Sequence, residues 1–408
     1  MKTCGLIVEY NPFHNGHLHH LEQSKYTSGA DCMVAVMSGQ FLQRGEPAIM
    51  DKWHRTEAAL LAGADLVVEL PHLFAVEHSD LFSKGAILTL KELGVDHVCF
   101  GSEHGNIDSF IKAAETYNLN KEAFDEKLKQ ELSEGLSFPE AARSAYRMIG
   151  LTEGEVDLSQ PNNILGFGYV KQVLKYAPSI QPLTIQRVKN AYHDEEITGK
   201  IASATSIRKE LLHHNTISEP AGLSFPDTTR QILNNYRHQT GLWHSWEKYF
   251  PFLQYKVLTM THEELAAIHS VDEGLQYRLK NVIKDVEDFH SLMEAMKTKR
   301  YTWTRLQRMF VHILCNTKKD TARGLLEKDR LPYVRILGMS KTGQKYLRKI
   351  KKHMEVPMIN QAQQLDNPLL ALDERSSDAY YSVLPSGVKH KFLHQELQPP
   401  IQLPSLQT

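Results

Sequence analysis

No apolar run in this 408-residue chain approaches the roughly 20 residues that a bilayer span needs, which sets aside helical channels and carriers; no membrane partner is expected. Cysteine is scarce. Cys4, Cys32, Cys99 and Cys315 stand far apart, with no CxxC pair and no zinc-finger spacing, so a disulfide scaffold and a cysteine-built zinc fold are excluded. Three of the four lie in apolar, strand-like runs, and buried free thiols in a reducing cytoplasm are the expectation. The chain also lacks an HExxH pair, an internal repeat and any low-complexity tract. Its start, "MKTCGLIVEYNPF", meets Glu9 soon after a short apolar run and has no small-residue cleavage site, so it is expected to be a core strand and not a signal peptide.

Net charge is −1, and that near-neutrality hides an asymmetry. From Lys280 to Glu355 there are 19 Lys and Arg against 8 Asp and Glu, a net of +11, which leaves −12 for the remainder. A basic stretch on a near-neutral chain points to a polyanion docking at one end.

The first half alternates. The apolar runs "CGLIVE", "CMVAVM", "DLVVEL", "DHVCF" and "PLTIQRV" are strand candidates, separated by helical patterns such as "DKWHRTEAALLAG" and "LFSKGAILTLKELG". That order predicts βαβ units and a parallel sheet. The expected organisation is an α/β, Rossmann-like parallel-sheet domain over residues 1–214, a Pro/Ser/Thr-rich linker over 215–230, a mainly α-helical basic region over 231–396, and a disordered tail over 397–408. In the second half, Thr261/Glu264 and Ser270/Glu273 each read as a capping box. "TWTRLQRMFVHILCN" places Leu306, Phe310, Ile313 and Leu314 on one face.

"EYNPFHNGHLHH" follows the first strand and opens a leucine-spaced helix. In an open parallel sheet, ligands sit beyond the carboxyl ends of the strands, facing helix N-termini. Gly16 would admit a phosphate close to the backbone, and His14 and His17 would supply N–H donors. A metal site and a set of structural histidines remain open on spacing alone. "IASATSIRKELL" adds Ser203, Thr205 and Arg208 at another helix start, where hydroxyls, amides and a guanidinium suit phosphate. Alone it is an N-capped helix; with the HxGH loop it favours a nucleotide.

The pair resembles the HIGH-type nucleotidyltransferase superfamily, whose second motif often reads I-S-S-T-x-I-R; here Ala204 replaces one serine. A longer set, "VEYNPFHNGHLHH", "SGQFLQRGEPA", "GADLVVELP", "FGSE", "PNNILGFGY", "YHD" and "SATSIR", resembles the bacterial tRNA(Met) cytidine acetate ligase family over nearly the whole chain. The resemblance implies an enzyme that activates acetate with ATP as acetyl-adenylate. It would then acetylate the wobble cytidine of elongator tRNA(Met). It implies an ATP-wrapping segment made of Ile7, Val8, Glu9, Tyr10, Asn11, Pro12 and Phe13, continuing through His14, Asn15, Gly16, His17, Leu18, His19 and His20. Gly101, Asn162 and Arg187 match three further nucleotide contacts. Mg2+ is expected with the ATP, the location is expected to be cytoplasmic, and no obligatory protein partner is inferred. A cofactor adenylyltransferase and a non-catalytic RNA-binding protein remain the alternatives.

Two basic segments suit RNA. In "KYLRKIKKHM", helical rotation puts Lys345, Arg348, Lys349 and Lys352 opposite Leu347, Ile350 and Met354. "KTKRYTWTRLQR" interleaves Lys297, Lys299, Arg300, Arg305 and Arg308 with Tyr301 and Trp303, cations for phosphate and rings for unpaired bases.

Overall fold

The structure, a computed structural model, describes residues 1–152, 156–187 and 202–403. The five apolar runs form β1 (Thr3–Val8), β2 (Cys32–Ser38), β3 (Leu66–Leu70), β4 (His97–Ser102) and β5 (Gln181–Gln186). They pair in parallel in the order β5-β4-β1-β2-β3. β2 and β3 are buried along their whole length, which is why they read as continuous apolar runs and not as alternating ones. The crossovers carry α1 (Asn15–Ser28), α2 (Lys52–Leu61) and the helices Ser79–Leu93 and Pro161–Tyr176. The chain steps from β1 to β2 and β3 on one side, then returns to lay β4 and β5 on the other. The strand order therefore reverses between β1 and β4, the place where an open sheet leaves a crevice.

The second half does more than add helices. β6 (Val334–Met339) joins β3 antiparallel, and the short β7 (Met358–Ile359) and β8 (Ile401–Gln402) line the outer edge of β6. Among the described residues these eight strands make one sheet. β8 lies in the stretch expected to be disordered; residues 404–408 lie outside the described ones. The expected linker holds a short helix, Glu219–Leu223, and the start of another, Asp227–Thr240. Its prolines and serines are helix-start signals: the Ser218 hydroxyl accepts from the Ala221 amide, and Pro220 and Pro226 sit where a missing N–H costs nothing.

Thr261 and Glu264 form the expected capping box. Ser270 and Glu273 do not. Both take positive φ, the next helix starts at Leu275, and the Glu273 carboxylate is bound by Arg300 and by the Tyr301 hydroxyl at 2.8 Å. Leu306, Phe310, Ile313 and Leu314 are all buried, as their spacing predicts. All four cysteines are buried free thiols. Among the described residues no helix is long and apolar enough to cross a membrane.

A buried ion network ties the halves together. Lys52 Nζ lies 2.8 Å from Glu69 and 2.9 Å from Glu396, while Arg335 lies 3.2 Å from Glu69 and 2.6 Å from Glu396. Two cations and two anions balance, and Ser377 and Trp53 donate further hydrogen bonds to Glu396. Removing one member strands buried charge. Glu396→Ala is therefore expected to cost about 3–5 kcal/mol in urea unfolding, while Lys121→Ala, which breaks an exposed pair with Asp125, leaves the unfolding midpoint nearly unchanged.

Candidate active site

The loop after β1 is held from all sides. The Glu9 carboxylate is buried and accepts the Gln43 amide at 2.8 Å; burial raises its pKa. Tyr10 takes φ +49, and a cis bond joins Asn11 to Pro12. Asn11 Oδ1 accepts the Ile49 amide at 2.7 Å. Tyr10 and Phe13, both buried, meet edge to face, and the Tyr10 ring meets His17 in the same way at 5.0 Å.

His14 caps α1. Its Nδ1 accepts the Gly16 amide at 3.0 Å, and His17 Nδ1 accepts the His14 amide at 3.3 Å, a reciprocal capping box built from two histidines. Their rings stack with centroids 3.7 Å apart. An Nδ1 that accepts must be unprotonated, so each neutral ring carries its proton on Nε2 and keeps an N–H donor there. Burial drives the His14 pKa down to about 3, with Arg187 and Arg208 adding repulsion. Burial also holds His17 well below the usual histidine range, and takes His20 to about 4. At neutral pH the pair is uncharged. The α1 amides expected to face phosphate are engaged: Asn15 N–H reaches Ser224 O, Gly16 N–H reaches His14 Nδ1, and His17 N–H reaches His14 O. The donors at this helix start are side chains, not backbone.

Gly101, next to last in β4, lies where a side chain would crowd the Arg187 stem. A Cβ there would stand 3.1 Å from Arg187 Cγ and 3.8 Å from His20 Cδ2, so the missing side chain lets the Arg187 stem cross the strand toward α1. Arg187 Nη1 donates to Asn162 Oδ1 at 3.2 Å. Asn162 Nδ2 in turn donates to Glu103 at 2.6 Å, and the other Glu103 oxygen accepts the Asn163 amide at 2.7 Å. Asn162, expected to contact the nucleotide, thus has one donor and one acceptor already in use. Ser203 caps the helix Ala204–His214, its hydroxyl accepting the Ser206 amide at 3.0 Å. Thr205 is exposed. Arg208 donates to Asn11 O at 3.1 Å and pairs with Glu46 at 3.2 Å.

β1's loop, Gly101, Asn162, Arg187 and Arg208 therefore meet around His14, His17 and His20 at the sheet's switch point. Leu18 and His19 do not join them. With Asn15 they line an open cleft of about 480 Å³, walled on its other side by Leu223, Phe225 and Asp227. Ile7 and Val8 remain strand residues within the core. The "YHD" and Ile201 parts of the motifs lie outside the described residues.

The HIGH Nucleotidyl Transferase family model matches residues 1–396. A tRNA(Met) cytidine acetate ligase of Oceanobacillus iheyensis is 53% identical over 402 residues, 98% of this chain and 100% of that one. The Bacillus subtilis protein of the same name is 44% identical over 400 residues, 97% of this chain and 96% of its own. The chain belongs to the tRNA(Met) cytidine acetate ligase family. Two crystal structures of Thermotoga maritima TmcAL superpose on it, one apo at a TM-score of 0.91 and 31% identity, the other bound with alpha-thio ATP at 0.89 and 30%. Each covers 99% of this chain and 100% of that chain.

One residue that sequence reasoning passed over also sits at this carboxyl edge. Arg55 is fully buried, and its guanidinium donates to the Glu9 carbonyl at 2.7 Å. Glu103 organises the start of the Pro161–Tyr176 helix.

The depressed histidines have a consequence for stability. Between their folded values and the unfolded value near 6.5, the unfolded chain binds protons that the folded chain refuses. Stability is then present above about pH 6.5 and is lost on acidification, by up to about 1.4 kcal/mol per pH unit for each histidine. Urea unfolding from pH 7 to pH 4 is expected to show this fall, and His14→Gln should make it shallower.

Proposed function

We propose that this chain is the ATP-dependent ligase that joins acetate to the wobble cytidine of elongator tRNA(Met), in the cytoplasm. An acetate oxygen attacks the α-phosphorus of ATP, the bond to pyrophosphate breaks, and acetyl-adenylate forms. The cytidine N4 amine then attacks the acetyl carbonyl. The C–N bond forms, the C–O bond to AMP breaks, and the amine proton passes to solvent or phosphate, which gives N4-acetylcytidine. The observation that carries this reading is the pair of neutral Nε2–H donors of the stacked His14 and His17 at the switch point, with Arg187 near both and Arg208 near His14. Those donors suit the charge that builds on the leaving pyrophosphate, and in a buried site they act at low dielectric cost. Arg208 would exchange its Asn11 and Glu46 contacts for phosphate, and Ser203 and Thr205 would steady the same group. Glu9 and Glu103 already hold Gln43 and Asn162, and Glu46 alone, released as Arg208 turns to phosphate, does not make a dedicated Mg2+ cage. No step here passes through the ion.

For the RNA, two surfaces carry the charge. Arg308 donates to Gln43 O at 3.3 Å, which brings the Lys297–Arg308 segment against the carboxyl-edge loops. Lys297 and Lys299 are exposed there, whereas Tyr301 is buried on Glu273 and is unavailable for base stacking. The helix Lys341–Ile350 and the turn after it expose Lys345, Arg348, Lys349 and Lys352. Its first turn is tied to Asp65 at the opposite rim of the sheet.

Transfer of radiolabelled acetate to unmodified elongator tRNA(Met), with ATP, tests the reading. Label in the anticodon cytidine is expected for the wild type, with a loss on the order of 100-fold in His17→Ala. No label from acetate would sink it. Because the histidines act uncharged, kcat/KM for ATP should stay level from pH 6 to 8 once the nucleotide's own titration is removed. A fall with a midpoint near 6.5 would mean an imidazolium is required. Lys297→Glu with Lys299→Glu should raise KM for tRNA and leave ATP-dependent steps without RNA unchanged.

A further inference from the structure

Away from the crevice, three side chains converge with no task in the ligase reaction. Glu77 follows β3, His269 lies between the helices His262–Ala266 and Leu275–Val282, and His312 is on the helix Trp303–Leu314. Their ligand atoms all lie within 4.8 Å of one another. Glu77 Oε1 is 2.5 Å from His269 Nε2 and 3.9 Å from His312 Nε2. The His269 backbone is pinned by its amide donating to Thr317 O at 2.8 Å.

A second observation concerns His312 alone. It is fully buried, and neither of its ring nitrogens has a hydrogen-bond partner. A buried imidazole has one donor and one acceptor, and native structures rarely leave both idle. His72, whose ring centroid is 6.3 Å away, is also buried with both nitrogens unpaired. A Glu77–His269 ion pair by itself does not explain why these rings face an unpaired interior.

We infer that Glu77, His269 and His312 form a binding site for a divalent transition-metal ion, zinc by ligand chemistry. Two imidazoles and one carboxylate are a borderline-soft donor set that suits this ion and leaves a fourth position for water. Bond lengths of about 2.0–2.2 Å in tetrahedral geometry place donors roughly 3.3 Å apart, so the observed separations need shifts on the order of 1 Å. His269 is partly exposed and gives the ion a way in. Two charges bear on it: the Glu77 carboxylate favours the cation, and the nearby Arg308 opposes it.

The ion would be a clamp between the halves of the chain. Glu77 belongs to the nucleotide half, and both histidines to the helical half. The clamp would also reach the crevice, because Gln43 Nε2 donates to Glu77 O at 3.0 Å while Gln43 N–H holds Glu9. The inference does not rest on the ligase reading.

Metal content of the full chain, purified after growth with zinc, tests it. About one zinc per chain is expected for a three-ligand site, with a large loss in Glu77→Gln and in His269→Ala. Chelator-treated protein titrated with zinc sulfate should bind it saturably with a rise in Tm, and cobalt(II) should give the intense visible bands of a four-coordinate ion. His269→Ala lies at a partly exposed loop position, so it keeps the test valid where His312→Ala fails to fold. Absence of bound metal together with absence of saturable binding would overturn the inference, as would equal zinc binding by the wild type and both variants.

Discussion

The guanidinium of Arg55 sets the carboxyl edge of the sheet. It is buried and bonds only to carbonyls among its hydrogen-bond partners: Met50 at 3.1 Å, Glu9 at 2.7 Å, Ser38 at 3.0 Å, and Gly39. Burial pulls its pKa down, with Tyr380, Asp51, Glu9 and Glu69 pulling the other way. The carbonyls of Glu9, Ser38 and Gly39 lie where β1 and β2 end, and strand ends leave such groups without ladder partners; that of Met50 lies just before α2. One planar donor group answers several of them together. The chain must therefore leave β1 and β2 in fixed directions. Tyr10's positive φ is then held from both sides, by Arg55 at Glu9 and by Ile49 at Asn11.

From that anchor the histidine geometry follows. A loop held this tightly delivers His14 to the cap position of α1 and stacks His17 on it. The dry surroundings needed for a rigid loop are also what remove the histidines' charge. A site for a polyanion is then assembled without burying histidine cations. The positive charge comes instead from the guanidinium groups of Arg187 and Arg208. Before nucleotide enters, Arg208 is balanced by Glu46 and by a loop carbonyl, and Arg187 by the Asn162 amide.

Much of this was legible in the residues. The five parallel strands announced themselves because strands covered on both faces are apolar without interruption. The HxGH loop was readable because its position after β1 is set by topology. Other features were hidden for physical reasons. β6 is one short run among helices, and its place beside β3 depends on charge partners, Glu69 and Glu396, that are far away in sequence. The 215–230 stretch carries the same Pro and Ser signals whether it wanders or starts helices. Glu273 matched a capping box in spacing, but ion pairing with Arg300 and a bond from Tyr301 claim its carboxylate. Tyr301 looked free to stack, and that same contact hides it.

The expected boundary at residue 214 does not separate two cores. One apolar layer runs from Leu6, Phe13 and Met37 through Tyr236, Leu253 and Phe310 to Tyr380 and Phe392. Lys52 and Glu69, neutral as a pair, gain their second ionic partners only when Glu396 and Arg335 arrive from the far end of the chain. The Asn15 amide, at the heart of the histidine loop, is held by Ser224 O, beyond the boundary. Arg308 is bonded to Gln43, and Gln43 to Glu9. The nucleotide loop and the basic helices are thus joined by a buried charge network, a continuous apolar layer and hydrogen bonds that pass directly between them. A displacement of the basic helices is transmitted through these contacts to the Glu9 loop, so under the proposed function adenylation and transfer would take place on a single mechanical frame.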